Sequence, residues 1–175
     1  MFQEEARQAV HQQLEGGTSA DPIAHVEPPE ATEAERAMFM GGPRHTGRSA
    51  HRGPASTPSV AWVHRTGARI FASPVVGPDG TLYVGSLDRT FSAIGPDGTL
   101  RWRVGISGRV RASARVDADG RIYVGSQDDH LYAFSPAGDM VWELNLGQDI
   151  DSTAALGADG TLYVGSDDGG LHALR

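Results

Sequence analysis

Three stretches of this chain repeat one another almost word for word. DGTLYVGSLD, DGRIYVGSQD and DGTLYVGSDD place tyrosines at Tyr83, Tyr123 and Tyr163, with 123 − 83 = 40 and 163 − 123 = 40. Trp62, Trp102 and Trp142 keep the same step. A fixed period with aromatic and glycine landmarks is the mark of a repeat architecture, whose units cannot bury their faces alone. These six aromatics recur with the unit, so they are read as packing residues of the repeat.

Inside one unit the pattern alternates with period two. The strands are expected at residues 72–76, 81–86, 90–94 and 99–104, separated by turns at Gly77-Pro78-Asp79-Gly80, near Asp88, and at Gly95-Pro96-Asp97-Gly98. Asp-Gly between alternating strands signals a hairpin, because tight primed turns need positive φ and glycine takes it without steric cost. In the second strand Leu82 and Val84 point one way and Tyr83 the other. Apolar groups on both faces mean a strand sandwiched between neighbours. The expected fold is therefore all-β: a β-propeller of four-stranded antiparallel blades, three repeats over residues 59–175. Its first strand is expected at residues 59–65, an outer strand carrying Trp62.

Ahead of the repeats, residues 1–40 read as an acidic arm. Phe2, Ala6, Val10 and Leu14 fall at four-residue steps along a short helix over 1–15. Residues 16–30 read as a linker, and Thr32 with Glu35 forms a capping-box pattern opening a second short helix to Met40. Residues 41–58 are an irregular basic lead-in. The opening MFQEEARQAVHQQLEGG has no apolar block, so no export signal is expected there. No stretch has the length needed to span a bilayer.

Charge is unevenly spread. Residues 1–40 carry eight acids against two arginines, 41–116 eleven arginines against three acids, and 117–175 eleven acids against two arginines, so −6 + 8 − 9 gives the net −7. Such asymmetry concerns association rather than fold. Cysteine is absent, which excludes disulfides and thiolate metal sites.

At DGTLYVGSLDRTFSAIGPDGTLRW, and again at DGRIYVGSQDDHLYAFSPAGDMVW and DGTLYVGSDDGGLHAL, the chain resembles the PQQ-like β-propeller repeat family. The lead-in GGPRHTGRS is similar to the start of such domains. The resemblance covers about residues 41–175. It implies either quinoprotein dehydrogenases or non-catalytic envelope proteins such as an outer-membrane assembly lipoprotein. The dehydrogenase branch implies adjacent cysteines over the cofactor and about eight blades, which this sequence lacks. The reading is accordingly non-catalytic, with no cofactor, no catalytic residue and no metal site. The resemblance implies a periplasmic or extracellular location, against the missing export signal.

Closed propellers take roughly four to eight blades, so three leave their flanks to be covered. Two arrangements follow: two chains completing a six-bladed ring, the basic first repeat meeting the acidic last one, or a segment of a longer propeller. The expected function is a protein-interaction or scaffold module, an accessory subunit of an assembly; the alternative is a propeller enzyme with its site on the inter-blade loops. Those connections differ most between repeats, with Arg69, Arg109 and Asp149 equivalent, and Phe71, Arg111 and Asp151 equivalent. Variable loops on a regular scaffold are where recognition lives. The interaction candidates are thus Arg69, Arg109, Arg111, Asp149 and Asp151, with Arg115 as a possible channel-facing cation and Phe2, Val10 and Leu14 on the arm. Asp88, Asp128 and Asp168 read as turn aspartates before they read as a cation ring, and Asp117 with Asp119 as a hairpin turn. The seven histidines show no ligand spacing. The acidic remainder argues against nucleic-acid binding by the arginines between 44 and 69.

Overall fold

The computed structural model describes residues 52–175. The expected arm helices, with Phe2, Val10 and Leu14, lie outside the described residues, as does the lead-in up to residue 51. Within 52–175 every regular element is a strand. The first blade contains β1 (Val75–Val76), β2 (Leu82–Gly85), β3 (Thr90–Ile94) and β4 (Leu100–Gly105). The second contains β5 (Arg115–Val116), β6 (Ile122–Gly125), β7 (His130–Phe134) and β8 (Met140–Asn145). The third has β9 (Ala155–Leu156), β10 (Leu162–Gly165) and β11 (Leu171–Leu174). Each sheet is an antiparallel meander in chain order.

The registers repeat with the period. Tyr83 faces Val75, Tyr123 faces Arg115 and Tyr163 faces Ala155. On the other side Ala93 pairs with Trp102 and Ala133 with Trp142, each followed by a register shift.

The turns follow the Asp-Gly signal with one difference. At Gly80, Gly98, Gly120 and Gly160 the glycine alone takes positive φ, near 80°, and the residue before it does not. Gly80 N–H donates to the Gly77 carbonyl at 3.0 Å, and Gly77 N–H to Thr81 at 2.8 Å. This is a type I turn closed by a left-handed glycine, not the tight primed turn with positive φ at both centres. Where a threonine follows the Asp-Gly it fixes the turn: Thr81 N–H and Oγ1 both donate to the Asp79 carboxylate, at 3.0 and 2.6 Å. Asp97–Thr99 and Asp159–Thr161 repeat that clasp.

Blades stack face against back. Tyr83, Phe91 and Ala93 of the first blade pack on Val110, Ala114, Ile122, Val124 and Phe134 of the second. Tyr123, Leu131 and Ala133 of the second pack on Ile150, Ala154, Leu162 and Val164 of the third. Glycines make the closest joins. A Cβ on Gly85 would collide with Val110, and one on Gly125 with Ile150. The absent side chain is the socket into which the next blade inserts a β-branched residue.

One expectation fails. Residues 59–65 form no strand, and the first sheet is complete with β1–β4. An outer strand exists only by its ladder to a third strand, and no such neighbour lies beside it among the described residues. Trp62 nevertheless sits as its equivalent Trp102 does. Its Nε1 donates to the Pro96 carbonyl at 3.1 Å, as Trp102 Nε1 donates to Pro136 at 2.9 Å. Its ring covers Gly98 as the Trp102 ring covers Gly138.

Candidate functional site: the inter-blade loop face

The connections leading into successive blades are held by one backbone scheme. The Arg69 carbonyl accepts from Leu87 N–H at 3.0 Å, Arg109 from Gln127 at 2.9 Å and Asp149 from Asp167 at 2.9 Å. Ser86 and Ser126 hydroxyls donate to the Arg69 and Arg109 carbonyls as well, at 3.5 and 3.4 Å. The main chain is thereby fixed, while Arg69 and Arg109 extend exposed side chains and Asp149 is half-buried.

Two positions further on, the equivalent residues touch one another in series. Arg111 Nη1 lies 3.1 Å from Asp151 Oδ2 in the next repeat. The same guanidinium lies over the Phe71 ring of the preceding repeat, 5.3 Å from its centroid. Gln127 Nε2 donates to both Asp151 oxygens, at 3.1 and 3.2 Å. The result is a row running Phe71–Arg111–Asp151 across three blades: apolar, cationic, anionic. The spacing identified these as equivalent positions; that they contact one another follows from blade stacking and could not be read from the chain.

The third connection is acidic. Burial holds the Asp149 carboxyl above the ordinary carboxylate value, and Asp151, Asp129, Asp167 and Asp128 push it the same way. Among the described residues no group of three or more acidic, histidine or cysteine side chains is arranged to hold a metal ion.

The turn aspartates are committed locally. Asp88 accepts from Thr90 and, through Oδ2, from Gly67 N–H at 2.6 Å. Asp128 accepts from His130 N–H, Gly108 N–H and Tyr132 hydroxyl. Asp168 accepts from Gly170 N–H and meets His172 Nε2. Asp88 and Asp128 therefore anchor the connection entering their own blade. Asp117 closes its hairpin through Asp119 and Arg121 N–H, and takes the Tyr123 hydroxyl at 2.9 Å. Arg115, on β5 opposite Tyr123, is only 3% exposed. Burial lowers its pKa while the nearby Asp117 charge opposes that shift.

The sequence reading missed Arg89 and Asp129, which take the left-handed conformation at φ 67° and 70°. Their equivalent in the third repeat is Gly169, at φ 83°, the one hint the chain offers.

Repeated antiparallel meanders, stacked through glycine sockets and tryptophan-capped hairpins, define a β-propeller repeat protein. More particularly, residues 48–175 match the family model described as outer membrane protein assembly factor BamB, and the chain belongs to that family, within the PQQ-like repeats. Among solved structures it is similar to BamB from Moraxella catarrhalis, at TM-score 0.58 and 21% identity, covering 66% of this chain and 36% of that one. It is also similar to the WD40 β-propeller domain of Doa1, at TM-score 0.50 and 20% identity, covering 54% and 33%. The chain thus spans about a third of either. No curated protein matches it.

Proposed function

We propose that this chain is a non-catalytic protein-interaction module, an accessory component of an assembly in the bacterial envelope, which binds its partner through the loop face. The observation that carries this reading is the Phe71–Arg111–Asp151 row, flanked by Arg69, Arg109 and Asp149. Rigid backbone presents these variable side chains at one end of the sheets, a mixed apolar and charged surface of the kind protein partners use. The matched family, described by its role in outer-membrane protein assembly, supports the envelope setting. Among the described residues no helix is long and apolar enough to cross a membrane.

The acidic arm over 1–40 is a second docking element in this reading, its Phe2, Val10 and Leu14 row suited to an apolar groove. The basic lead-in over 41–58 tethers it to the propeller segment at 59–175.

A photo-crosslinking amino acid placed at Arg69 or Arg109 in the native host is expected to trap one defined protein species, while the same probe at Asp139, on a hairpin turn, traps none. Equal labelling from both faces would remove the loop-face assignment. A chromophore band in the absorption spectrum of the protein purified from that host would favour an enzyme instead.

A further inference from the structure

An Asp-Gly bond is where a chain most readily rewrites its own backbone, because glycine leaves its amide nitrogen unshielded beside a carboxyl group. The chain holds five such bonds, at Asp79, Asp97, Asp119, Asp159 and Asp168. Four of the five carboxylates are engaged. Asp79, Asp97 and Asp159 each accept from the N–H and the hydroxyl of the threonine two residues on, the hydroxyl bonds at 2.6, 2.6 and 2.8 Å. Asp168 accepts from Gly170 N–H at 2.6 Å and meets His172 Nε2 at 3.1 Å. These bonds tie each carboxyl group to the chain beyond its glycine and favour the ionised form. The Thr81, Thr99 and Thr161 hydroxyls, and for Asp168 the Gly170 N–H, draw all four below the ordinary carboxylate pKa.

The second blade has exchanged its clasp. Asp117 stands where the first and third repeats have Gly77 and Gly157, and Arg121 where they have Thr81 and Thr161. Asp117 Oδ1 accepts from both Asp119 and Arg121 N–H, at 2.9 Å each, and its Oδ2 takes the Tyr123 hydroxyl. The turn is thus closed from Asp117, and Asp119 is exposed. Among the described residues its carboxylate accepts no hydrogen bond and pairs with no cation. The backbone is otherwise alike in the three turns. Gly80, Gly120 and Gly160 take φ of 80°, 82° and 81°, and their N–H groups donate three residues back at 3.0, 3.1 and 3.0 Å. The carboxylate is the difference.

We propose that Asp119–Gly120 is the preferred site of spontaneous isoaspartate formation in the folded protein, a modification of the main chain itself. The Gly120 nitrogen attacks Cγ of the neutral Asp119 carboxyl; the N–Cγ bond forms, and the carboxyl hydroxyl leaves as water with the amide proton. Water then adds to the cyclic imide. Opening between the nitrogen and the Asp119 backbone carbonyl carbon leaves the chain running through Cβ and Cγ, with a free α-carboxylate and no net change in mass. The main chain gains one carbon at a turn where an atom added to Gly120 would meet Pro136 at 3.2 Å. The site lies at the opposite end of the sheet from the loop face and is independent of what that face binds.

The test uses the full chain aged at neutral pH, both folded and in urea. Isoaspartate is read by enzymatic methylation of its α-carboxyl and placed by electron-transfer mass spectrometry of tryptic peptides; trypsin releases residues 116–121 with a single Asp-Gly bond. In the folded chain Asp119 should convert about tenfold faster than the other four, the factor expected for breaking a hydrogen-bonded clasp. In urea the five rates should converge. Asp117→Gly with Arg121→Thr, which gives the second turn the residues of the first and third, should slow Asp119 to their rate. Thr99→Val should quicken Asp97. Circular dichroism checks both variants before ageing, and the comparison of folded with urea-treated parent needs neither. Equal rates in the folded chain, a ranking unchanged by urea, or an unaltered Asp119 rate in the folded double variant would each overturn the proposal.

Discussion

Arg111 and Asp151 stand forty residues apart in the chain and 3.1 Å apart in space. With Phe71 beneath the same guanidinium, one arginine spans three repeats. Both charged groups are partly exposed, so water screens the pair and the side chains give up rotamer freedom to hold it. Arg111→Ala should therefore cost less than about 1 kcal/mol in urea unfolding. A larger loss would mean that the row holds the blades together and is not chiefly a recognition surface.

Backbone strain gives a prediction of the opposite sign. An L-residue in the left-handed region costs roughly 1–2 kcal/mol, and glycine returns part of that gain through its freer unfolded chain. Arg89→Gly should stabilise the protein by about 0.5–1 kcal/mol, read as a raised melting temperature. Gly169→Arg should lower it. No change in either variant would show that the turn is held wholly by Asp88 and its counterparts.

The glycines at the two blade junctions differ from their equivalent Gly165. Gly85→Ala and Gly125→Ala drive a methyl into Val110 or Ile150, and overpacking of this kind costs about 1–3 kcal/mol. Among the described residues a methyl at Gly165 meets only Ser152, so Gly165→Ala should stay within about 0.5 kcal/mol of the parent. Chemical denaturation of the three variants at one protein concentration checks the contrast.

Acid sensitivity follows from the hairpin clasps. Hydrogen bonds from Thr81, helped by Arg101, draw the Asp79 pKa down from 3.8 to about 2, and the Thr99 and Thr161 clasps lower Asp97 and Asp159 in the same direction. The folded carboxylates thus bind protons less readily than the unfolded ones. The contribution is complete above about pH 5, where both states are ionised, and falls between about pH 5 and pH 2 as the unfolded chain takes up protons first. Thr81→Val should flatten that part of the stability profile; an unchanged slope would assign the acid loss to other groups.

Much of this fold was legible because it is written three times. Strand positions, turn glycines and the tryptophan step all depend on local pattern, which repetition averages. Residues 59–65 carry the same pattern and form no strand, since a ladder needs a neighbour that pattern cannot supply. The Phe71–Arg111–Asp151 contacts were hidden for a related reason: equivalence along the chain becomes adjacency only when blades stack. Arg89 and Asp129 were concealed by side chains that normally avoid their backbone angles, and only Gly169 betrays the geometry.

Trp62 and Trp102 each reach a carbonyl 34 positions ahead, at Pro96 and Pro136. Such a fixed stride means that one whole unit can be duplicated or excised and every remaining clasp still finds its mate, whereas a cut of any other length strands the indole. Growth by copying is therefore built into the chemistry of the joint, and the number of blades can change in evolution without a single new contact being invented.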